Sequence, residues 1–493
     1  MYLGIDCGTQ GTKAIVWKEG EIIGQGYQPH TTVMEQAGQR EQNPEDWFQA
    51  MVKAIESAFK GIEHHKSAIK GIGVSGQQHG LVLLDSNNHV IRDALLWCDT
   101  RPHRVLAEYE RNQNLPLVEQ IGIQVPVAFT IAKLLWVKQF DTPSFHRIRK
   151  IMLPHDYLNW CLTGRYAVEP GDASGSGWFD TRSKSFHTSI LDSVFEQKVD
   201  FELPDLIKSH EINGTLMPNV AAKLGLSTDV IVSSGGGDNM MAAIGTGNVD
   251  SGQLTISLGT SGTLFSHTHQ QIDSRKHPDL NAFCSSSNGY LPLASTMNVT
   301  TANNQILNLS NNDISSFDSL IQSSPIGADG LVCFPYFNGA RLPNIPNANG
   351  AILGISAGNL SPANLLRATV EGVTYNLHRG ANVLKKAGVK FENACVIGGG
   401  AKSHVWRQMI ADITKLPLWT PTYTEAAAVG AAIQACWAYE SQYELLKLST
   451  ITRDVIDIDK TKYVTPISAN SLRYDALAKE YHERADCYMM QFL

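Results

Sequence analysis

A seven-residue pattern near the start of the chain occurs a second time in its middle. The two copies are DCGTQGT at residues 6–12 and SLGTSGT at residues 257–263. Each copy follows a short apolar run and leads into another, so each predicts a strand, a tight turn of glycine and threonine, and a second strand. A chain that carries this hairpin twice is predicted to consist of two related halves.

The composition of these turns indicates an anion site. Glycine lets the backbone approach a ligand closely, and backbone N–H groups with threonine hydroxyls can then face a phosphate. One such turn could equally be a structural hairpin, but two copies favour phosphate binding. The first copy begins with Asp6 where the second has Ser257. Because a carboxylate beside a phosphate needs a cation between them, we expect Mg²⁺ and a nucleotide between the halves.

Length and charge limit the remaining choices. At 493 residues the chain is too long for one hydrophobic core, which predicts two domains, at residues 1–250 and 251–493. A net charge of −7 argues against nucleic acid as a partner, since phosphate backbones are bound by clustered Lys and Arg. No apolar run approaches the ~18 residues that span a bilayer, so no membrane partner is expected.

Eight cysteines are scattered along the chain without a CxxC pair. Together with an N-terminus that lacks a signal-like segment, this predicts a cytoplasmic protein rather than a disulfide framework or a CxxC zinc site. The sequence leaves open whether the chain acts alone or as a homodimer.

Strands alternate with helical patterns in both halves, which indicates an α/β fold. Asn43 and Pro44 predict the start of a helix that carries Trp47, Met51 and Ile55 on one face. Residues 169–177 are rich in glycine, serine and aspartate and are expected to form a loop.

Three glycines at residues 235–237 end a predicted strand, and Asp238 and Asn239 follow at the start of a small-residue helix. An aspartate in this place either caps the helix or acts as a general base. A base would take the proton from a substrate hydroxyl as that oxygen attacks a phosphate. The neighbouring residues do not decide between these two roles.

Two more turns carry groups that could bind a ligand. Gln77, Gln78 and His79 lie between two predicted strands and suit either a polyhydroxylated ligand or a plain polar surface turn. Residues 398–403 (GGGAKS) join a strand to a helix, where exposed backbone can pack on a nucleotide. That segment lacks the full GxGxxG and Walker patterns, which disfavours a dinucleotide fold and a P-loop kinase.

Taken together, these segments resemble the FGGY family of carbohydrate kinases along nearly the whole chain, and within it the xylulose kinases most closely. The matching segments are residues 4–13, 75–80, 96–101, 133–137, 236–239, 257–262, 354–371 and 398–412. The resemblance implies the architecture of hexokinase, actin and Hsp70, in which two ribonuclease-H-like domains enclose a cleft for ATP and sugar.

The resemblance also implies roles for single residues. Asp238 is then the general base and Asp6 the carboxylate linked to Mg²⁺, so that both are catalytic. The implied sugar contacts are Gln78, His79, Asp238 and Asn239, with Arg101 as a weaker addition. The implied nucleotide contacts are Thr9, Gln10, Lys13, Thr260, Ser261, Gly399, Gly400 and Ala401.

The chain departs from the family pattern in its second half. The family usually carries Gly-Glu-Arg-Thr-Pro after a Pro-Tyr pair, whereas this chain has Ala340 for the acid and Leu342 for the threonine. Gln78 also stands where xylulose kinases usually have methionine. The change in the loop of Ala340 and Leu342 puts the substrate in doubt more than the catalysis.

The resemblance implies ATP-dependent phosphorylation of a pentulose, with D-xylulose the first candidate. Another ketose, a polyol or a sugar acid stays open as the substrate. An ATP-dependent binding protein, like the actin and chaperone relatives of the fold, is the alternative of another class. Asp238 and the polar turn at residues 77–79 argue against it, because a nucleotide switch needs no base for a substrate hydroxyl.

Overall fold

The computed structural model describes residues 1–196, 201–444 and 446–492. The strands of its first half are β1 (Tyr2–Cys7), β2 (Gly11–Lys18), β3 (Glu21–Pro29), β4 (Glu41–Gln42), β5 (Gly71–Gly76), β6 (Val82–Leu84), β7 (Ala94–Leu95), β8 (Lys150–Met152), β9 (Ala167–Val168), β10 (Phe179–Asp180), β11 (Ser185–Phe186), β12 (Asp205–Leu206), β13 (Ile212–Thr215), β14 (Ile231–Ser233) and β15 (Gly236–Gly237). The helices of this half are α1 (Pro44–Ala58), α2 (His103–Arg111), α3 (Leu117–Ile121), α4 (Thr130–Phe140), α5 (Thr142–Arg147), α6 (Pro154–Thr163), α7 (Pro170–Ala173), α8 (Thr188–Phe195), α9 (Pro218–Leu224) and α10 (Asp238–Gly245).

The second half has fewer strands and longer helices. Its strands are β16 (Gly252–Leu258), β17 (Gly262–Phe265), β18 (Asn281–Cys284), β19 (Tyr290–Thr296), β20 (Val332–Phe334), β21 (Ala340–Arg341), β22 (Asn344–Ile345), β23 (Ala351–Leu353), β24 (Phe391–Ile397) and β25 (Leu418–Trp419). Its helices are α11 (Thr300–Leu309), α12 (Phe317–Gln322), α13 (Pro362–Lys386), α14 (His404–Thr414), α15 (Ala426–Glu440), α16 (Leu448–Val455) and α17 (Ser468–Met489). Short 3₁₀ turns lie at Glu63–Ala68, Ile314–Ser316, Ala328–Gly330, Gly399–Lys402, Lys460–Lys462 and Met490–Phe492.

Each half is built around one mixed sheet. The strand order is β13-β14-β5-β1-β2-β3 in the first sheet, where β15 also pairs with β5, and β18-β19-β17-β16-β24-β25 in the second. β1 and β16 take the same place in these sheets. Each is antiparallel to the next strand of its hairpin and parallel to a later strand on its other side, β5 or β24. The repeat of sequence is thus a repeat of topology, and the predicted α/β fold is confirmed.

α1 begins where the sequence predicts. Asn43 is the N-cap, its side chain accepts a hydrogen bond from the N–H of Glu45, and Pro44 is the first helical residue. The predicted apolar face is buried and packs on β2 and β3. The capping bond and the burial of this face explain the position of α1 from local sequence alone.

The expected loop at residues 169–177 is only partly a loop, because α7 lies inside it. Glu169 precedes this single helical turn, and its buried carboxylate accepts hydrogen bonds from the N–H groups of Gly171 and Asp172. The glycine-rich composition of the segment does not predict this helix. The side chain that caps it is that of Glu169, the first residue of the expected loop. As a result Asp172 is fixed in the interior instead of being exposed on a loop.

α15 belongs to the second half by sequence, yet it packs against β1 and β5 of the first sheet and against α10. Glycines allow the two helices to approach this closely. A Cβ at Gly430 would lie 1.8 Å from the carbonyl oxygen of Met241, and one at Gly245 would lie 1.9 Å from that of Ala426. The halves are therefore joined by direct backbone packing, and the domain division at residue 250 stays a prediction.

None of the helices in the described part of the chain combines the length and the apolar character that crossing a membrane requires.

Candidate active site

The predicted ligand turns gather at one edge of each sheet. The turn at residues 8–10 follows β1, and the polar turn at residues 77–80 follows the parallel neighbour β5. In the second half, the turn at residues 259–261 follows β16, and the glycine turn at residues 398–400 follows the parallel neighbour β24. In α/β sheets, ligands bind outside the carboxyl ends of such strands. The topology therefore supports a site at these ends in both halves.

The first Gly/Thr turn is fixed by side chains from the first half. The Thr9 hydroxyl donates to Oε1 of Gln77, 3.1 Å away, and accepts a hydrogen bond from the indole of Trp97 at 3.0 Å. Gln10 is exposed at the tip of the turn. The Thr9 side chain thus links the turn at residues 8–10 to the turn at residues 77–80, and the exposed tip of the first turn is accessible to a ligand.

The backbone of the second turn is hydrogen-bonded within the turn and to the start of α11. The N–H of Gly259 donates to the carbonyl of Ser261 at 3.0 Å, whereas in the first turn the N–H of Gly8 donates to the carbonyl of Gly11, one residue further along, at 3.1 Å. The carbonyls of Gly259 and Thr260 accept hydrogen bonds from the backbone of Thr300 and of Val299, at the start of α11. Within residues that the structure describes, the Thr260 and Ser261 hydroxyls make no hydrogen bond. Both remain available to an anion.

Asp238 is the first residue of α10, and the N-cap position is taken by Gly237. Its carboxylate accepts hydrogen bonds from the backbone and the side-chain amide of Asn239, at 2.8 and 3.0 Å. Burial raises the pKa of Asp238 to about 7, and the nearby carboxylates of Asp6 and Asp172 add to this effect. Gly237 thus holds the N-cap position while the Asp238 carboxylate accepts a first-turn N–H, and its raised pKa suits a general base near neutral pH.

Asp6 is the second-last residue of β1 and pairs with Ser75 of β5, whose hydroxyl donates to its carboxylate at 2.9 Å. Burial raises the pKa of Asp6, and the hydrogen bond from Ser75 opposes this. Lys13 is paired with Asp6 in the hairpin. Its ammonium nitrogen lies 2.5 Å from the carboxylate of Glu425, the residue that precedes α15. Asp6 and Asp238 are thus two neighbouring carboxylates that repel each other, an arrangement that a divalent cation would relieve.

A buried charge network behind Asp238 was missed by sequence reasoning. His155 lies between two carboxylates, 2.7 Å from Asp172 and 2.9 Å from Asp156. Burial alone would lower the pKa of His155, but the two carboxylates raise it well above its ordinary value. The second carboxylate oxygen of Asp172 has no hydrogen-bond partner among the described residues, and a Cβ at Gly237 would lie 2.9 Å from it. Asp172 therefore borders directly on the segment that carries Asp238.

The predicted sugar residues do come together. The side-chain NH₂ of Asn239 donates to Oε1 of Gln78 at 2.9 Å, and its side-chain oxygen Oδ1 accepts a hydrogen bond from the Thr263 hydroxyl at 3.0 Å. Thr263 belongs to β17, so this contact links the two halves at the site. Three groups that can both donate and accept hydrogen bonds thus lie beside Asp238, as a polyhydroxylated ligand requires.

His79 is nearly buried and has the positive backbone φ of 65°. Its ring lies against Phe129 and Phe283, with centroid distances of 4.8 and 5.7 Å. Burial, with Lys133 adding to it, lowers the pKa of His79 to about 3, so the imidazole is neutral at physiological pH. A neutral ring held by two phenyl groups can donate or accept one hydrogen bond in a fixed direction.

Two arginines lie near this region, and only one of them has carboxylate partners. Arg101, the weaker sugar candidate, is bound to Asp99 and Glu41, with 2.5 Å between its guanidinium and each of these carboxylates. Arg341 forms no ion pair within the described ranges, and its guanidinium lies 6.0 Å from the Trp97 ring centroid. Arg341 also helps to lower the pKa of His79, and it belongs to the loop that departs from the family pattern. The charge of this loop therefore acts on the polar turn at residues 77–79.

The glycine turn after β24 offers one open face. A Cβ at Gly400 would lie 2.6 Å from the Trp406 ring, and Ala401 accepts a hydrogen bond from Arg407 through its carbonyl. A Cβ at Gly399, in contrast, would meet no atom within 4 Å. Gly399 is exposed, so the backbone at this point is accessible to a flat ligand such as an adenine nucleoside.

Comparison with known proteins agrees with this geometry. The models of the N-terminal and C-terminal domains of the FGGY family of carbohydrate kinases match residues 1–245 and 254–439. Xylulose kinase from Haemophilus influenzae is 44% identical over 457 residues, which cover 90% of this chain and 92% of that protein.

Solved structures give the same result. A protein described as a "xyloylose kinase" from Brucella ovis is 29% identical and superposes with a TM-score of 0.91 over 99% of both chains. Gluconate kinase from Lactobacillus acidophilus superposes with a TM-score of 0.90 over 100% of this chain and 98% of its own, at 23% identity. Proteins named for different sugars share the fold almost equally, so the fold does not identify the substrate. What the two family models and the whole-length match do establish is that this chain belongs to the FGGY family of carbohydrate kinases, enzymes that transfer a phosphoryl group from ATP.

Proposed function

We propose that the chain phosphorylates D-xylulose with ATP and that Asp238 is the general base. The observation that carries this proposal is the Asp238 carboxyl group at the head of α10, which is hydrogen-bonded to Asn239 and whose pKa is raised to about 7 by burial and by the carboxylates of Asp6 and Asp172. A group with this pKa is partly ionised at neutral pH and still basic enough to accept a proton from a hydroxyl. Positioning and charge stabilisation supply most of the remaining catalysis in phosphoryl transfer.

The neighbouring side chains would orient the sugar. Gln78 and Asn239 bring amide groups beside Asp238, and neutral His79 follows Gln78 in the same turn. A terminal sugar hydroxyl held there would give its proton to Asp238 as its oxygen attacks the γ-phosphate of ATP. The phosphates would lie between the two Gly/Thr turns, in contact with Thr260 and Ser261. Gly399, Gly400 and Ala401 would border the adenosine.

Mg²⁺ fits the residues present beside the first turn. Asp6 and Asp238 are close enough for the charge of Asp6 to raise the pKa of Asp238, and the Asp6 carboxylate has the Ser75 hydroxyl as its one neutral partner in the described residues. Mg²⁺ prefers one or two carboxylates together with phosphate oxygens and water. Bound there, it would supply positive charge to the ATP phosphates, with Asp6 as the residue that holds it.

The names of the relatives and the site chemistry both favour a neutral ketose. The matched protein from Haemophilus influenzae is named a xylulose kinase, and the groups around Asp238 are mostly uncharged donors and acceptors. One observation favours a second candidate, a sugar acid. Arg341 lies near His79 and forms no carboxylate pair in the part of the chain that the structure describes. A free guanidinium suits a substrate carboxylate.

A panel of substrates tests both candidates. The purified enzyme with Mg-ATP is assayed for ADP release with D-xylulose, D-ribulose, L-ribulose, glycerol and D-gluconate. We expect the highest kcat/KM with D-xylulose. A preference for D-gluconate that disappears in Arg341→Gln would establish the sugar acid instead. ADP release that no member of the panel stimulates would exclude both candidates.

The Mg²⁺ assignment has its own test. Asp6→Ala is expected to raise the Mg²⁺ concentration needed for half-maximal activity, because the proposed partner of Asp6 is the cation. Affinity for the sugar, measured by calorimetry without nucleotide, should stay close to that of the wild type. If the variant keeps the wild-type dependence on Mg²⁺, Asp6 does not hold the metal.

A further inference from the structure

A second group of ligand-type side chains lies away from the proposed active site. Asp250 is in the segment that joins α10 to β16, and His267 and His269 follow the end of β17. One potential metal-binding atom from each of the three residues lies within 4.8 Å of the others. β16 runs between this group and the Gly/Thr turn, so the two sites are at opposite ends of a seven-residue strand.

His267 is the unusual member of the group. Its side chain is 1% exposed, and neither ring nitrogen has a hydrogen-bond partner among the described residues. A buried imidazole normally satisfies at least one nitrogen. The ring is fixed in place, because a Cβ at Gly289 would lie 2.2 Å from Nε2 and the backbone N–H of His267 donates to Asn248 at 2.9 Å. The scaffold therefore presents a rigid imidazole with an unused lone pair.

The other two members are accessible and already paired with each other. His269 Nε2 lies 2.9 Å from a carboxylate oxygen of Asp250, and their side chains are 69% and 62% exposed. The rings of His267 and His269 are 5.0 Å apart in an edge-to-face arrangement. Two imidazoles and one carboxylate are the ligands that zinc and similar ions take in proteins, often with a water molecule in the fourth position.

We propose that Asp250, His267 and His269 form a binding site for a divalent transition-metal ion, with Zn²⁺ as its best representative. Ligands about 2.0–2.1 Å from zinc in a tetrahedron lie roughly 3.3 Å from one another. The exposed side chains of Asp250 and His269 can close the remaining distance by rotation. The buried ring of His267 can stay where it is.

The charges around the group are consistent with metal binding. Asp250 supplies the negative charge of the group, and its carboxylate lies 2.9 Å from His269 Nε2. The ammonium of Lys184 donates to the carbonyls of Asn288 and Gly289, and the His267 ring packs against Gly289. Lys184 is thus an opposing positive charge that is already neutralised in part by backbone dipoles.

A bound ion would tie the segment between the two sheets to the end of the β17 hairpin. This segment connects α10, which carries Asp238, to β16, which carries the second phosphate turn. The ion would therefore act as a structural brace at the junction. It would be chemically distinct from Mg²⁺, which prefers oxygen ligands and binds imidazole weakly.

The test measures Zn²⁺ binding to the full-length protein after metal has been removed by dialysis. Zn²⁺ is titrated in competition with a chromogenic chelator, in excess Mg²⁺ so that the carboxylates of the proposed active site are occupied. We expect one tight Zn²⁺ per chain. Asp250→Asn and His269→Gln, both at exposed positions, should weaken binding by more than the about 10–100-fold that loss of a hydrogen bond to a ligand typically costs.

The control removes two other neighbouring histidines. His64 and His65 have ring centroids 4.0 Å apart and lie in a 3₁₀ turn, outside the three-residue group. The double variant His64→Ala/His65→Ala should bind Zn²⁺ like the wild type. Co²⁺ binding gives a second readout, since a four-coordinate site produces intense visible absorption that should vanish in His269→Gln. Equal Zn²⁺ affinity in the wild type and in Asp250→Asn and His269→Gln, or no tight binding by the wild type, would overturn the proposal.

Discussion

Asp238 is a carboxyl group whose surroundings oppose its ionisation. Its side chain is half-buried, and this burial, with the nearby charges of Asp6 and Asp172, raises its pKa to about 7 from its ordinary 3.8. Ionising it in the folded protein therefore requires free energy that the unfolded chain does not spend. The burial and charge repulsion that raise the pKa of Asp238 therefore also lower the free energy of unfolding once the group is ionised. Such a trade-off between activity and stability is common in enzymes.

Asp238→Asn tests both effects in one variant. Asparagine keeps the shape but removes the basicity, so kcat should fall by about 10²–10⁴-fold while ATP binding is kept. The folded-state pKa lies above the unfolded one, so the ionisation penalty is absent below the unfolded pKa, grows as pH rises, and is complete above about pH 7. The variant should therefore be more stable than the wild type at about pH 8, with a gain that shrinks towards about pH 4.

Thermal unfolding at several pH values and steady-state kinetics give the two measurements. Near-normal turnover of the purified variant would remove Asp238 from the role of base. A stability gain that does not depend on pH would show that the substitution acts through packing and not through the charge.

Asp172 acts on Asp238 through its charge. Its charge raises the pKa of Asp238, so Asp172→Asn should lower that pKa and shift the acidic limb of the pH profile of kcat/KM to lower pH. The matched control is Asp156→Asn, which alters the other side of the same His155 network. If both variants shift the profile equally, the effect comes from His155 or from the fold, and direct repulsion between Asp172 and Asp238 is excluded.

At the scale of elements, the contact between α10 and α15 is set by glycine. The close approach of Gly430 to Met241 brings the helix that follows the active-site glycines against a helix from the other half. Each helix is small-residue rich on its own, but neither sequence reveals the partner. The pairing matters for function, because Asp238 opens α10 and the Lys13 partner Glu425 precedes α15.

Gly430→Ala is expected to destabilise the protein by about 1–3 kcal/mol, the usual result of forcing an extra carbon into a packed contact. This sign is opposite to the intrinsic preference of a helix interior for alanine over glycine. Denaturant unfolding measures the change. The control is Gly358→Ala, where a Cβ would meet no atom within 4 Å. A neutral or stabilising effect of Gly430→Ala would show that α10 and α15 can move apart enough to admit a methyl group, which contradicts a contact set by glycine.

At the scale of the whole molecule, the residues proposed to bind the sugar and those proposed to border the adenosine lie in different halves. Gln78 and His79 lie in the first half, and Gly399 with Thr260 lies in the second. Polar contacts already link the halves near the site, from Thr263 to Asn239 and from Lys13 to Glu425. A sugar and a nucleotide that each favour a closed arrangement would then strengthen each other's binding.

Calorimetry with D-xylulose, with and without a non-hydrolysable ATP analogue, measures this coupling. We expect mutual strengthening within about 5–150-fold, the common range for linked sites. His79→Ala should weaken the sugar and reduce the coupling, while the affinity for the analogue alone stays roughly unchanged. Independent binding of the two ligands would contradict closure around both of them.

Features with a local cause could be predicted from the sequence. The two hairpins, the start of α1 at Asn43 and the place of Asp238 at the head of a helix depend on residues within a few positions of one another. Turn chemistry, capping and apolar periodicity act over that range, so the pattern of the residues is enough. The resemblance to a kinase family rested on such segments, and the comparisons confirmed it.

Contacts between distant segments were decided only by the tertiary structure. The contact of His155 with Asp172, the effect of Arg341 on His79, and the packing of α15 on the first sheet join residues that no local pattern relates. Burial is what gives them their effect, because a charge perturbs a neighbour strongly only where water is excluded. Local sequence therefore determined the hairpins and the position of Asp238 at the head of α10, while folding determined which charges surround that carboxyl group and set its pKa.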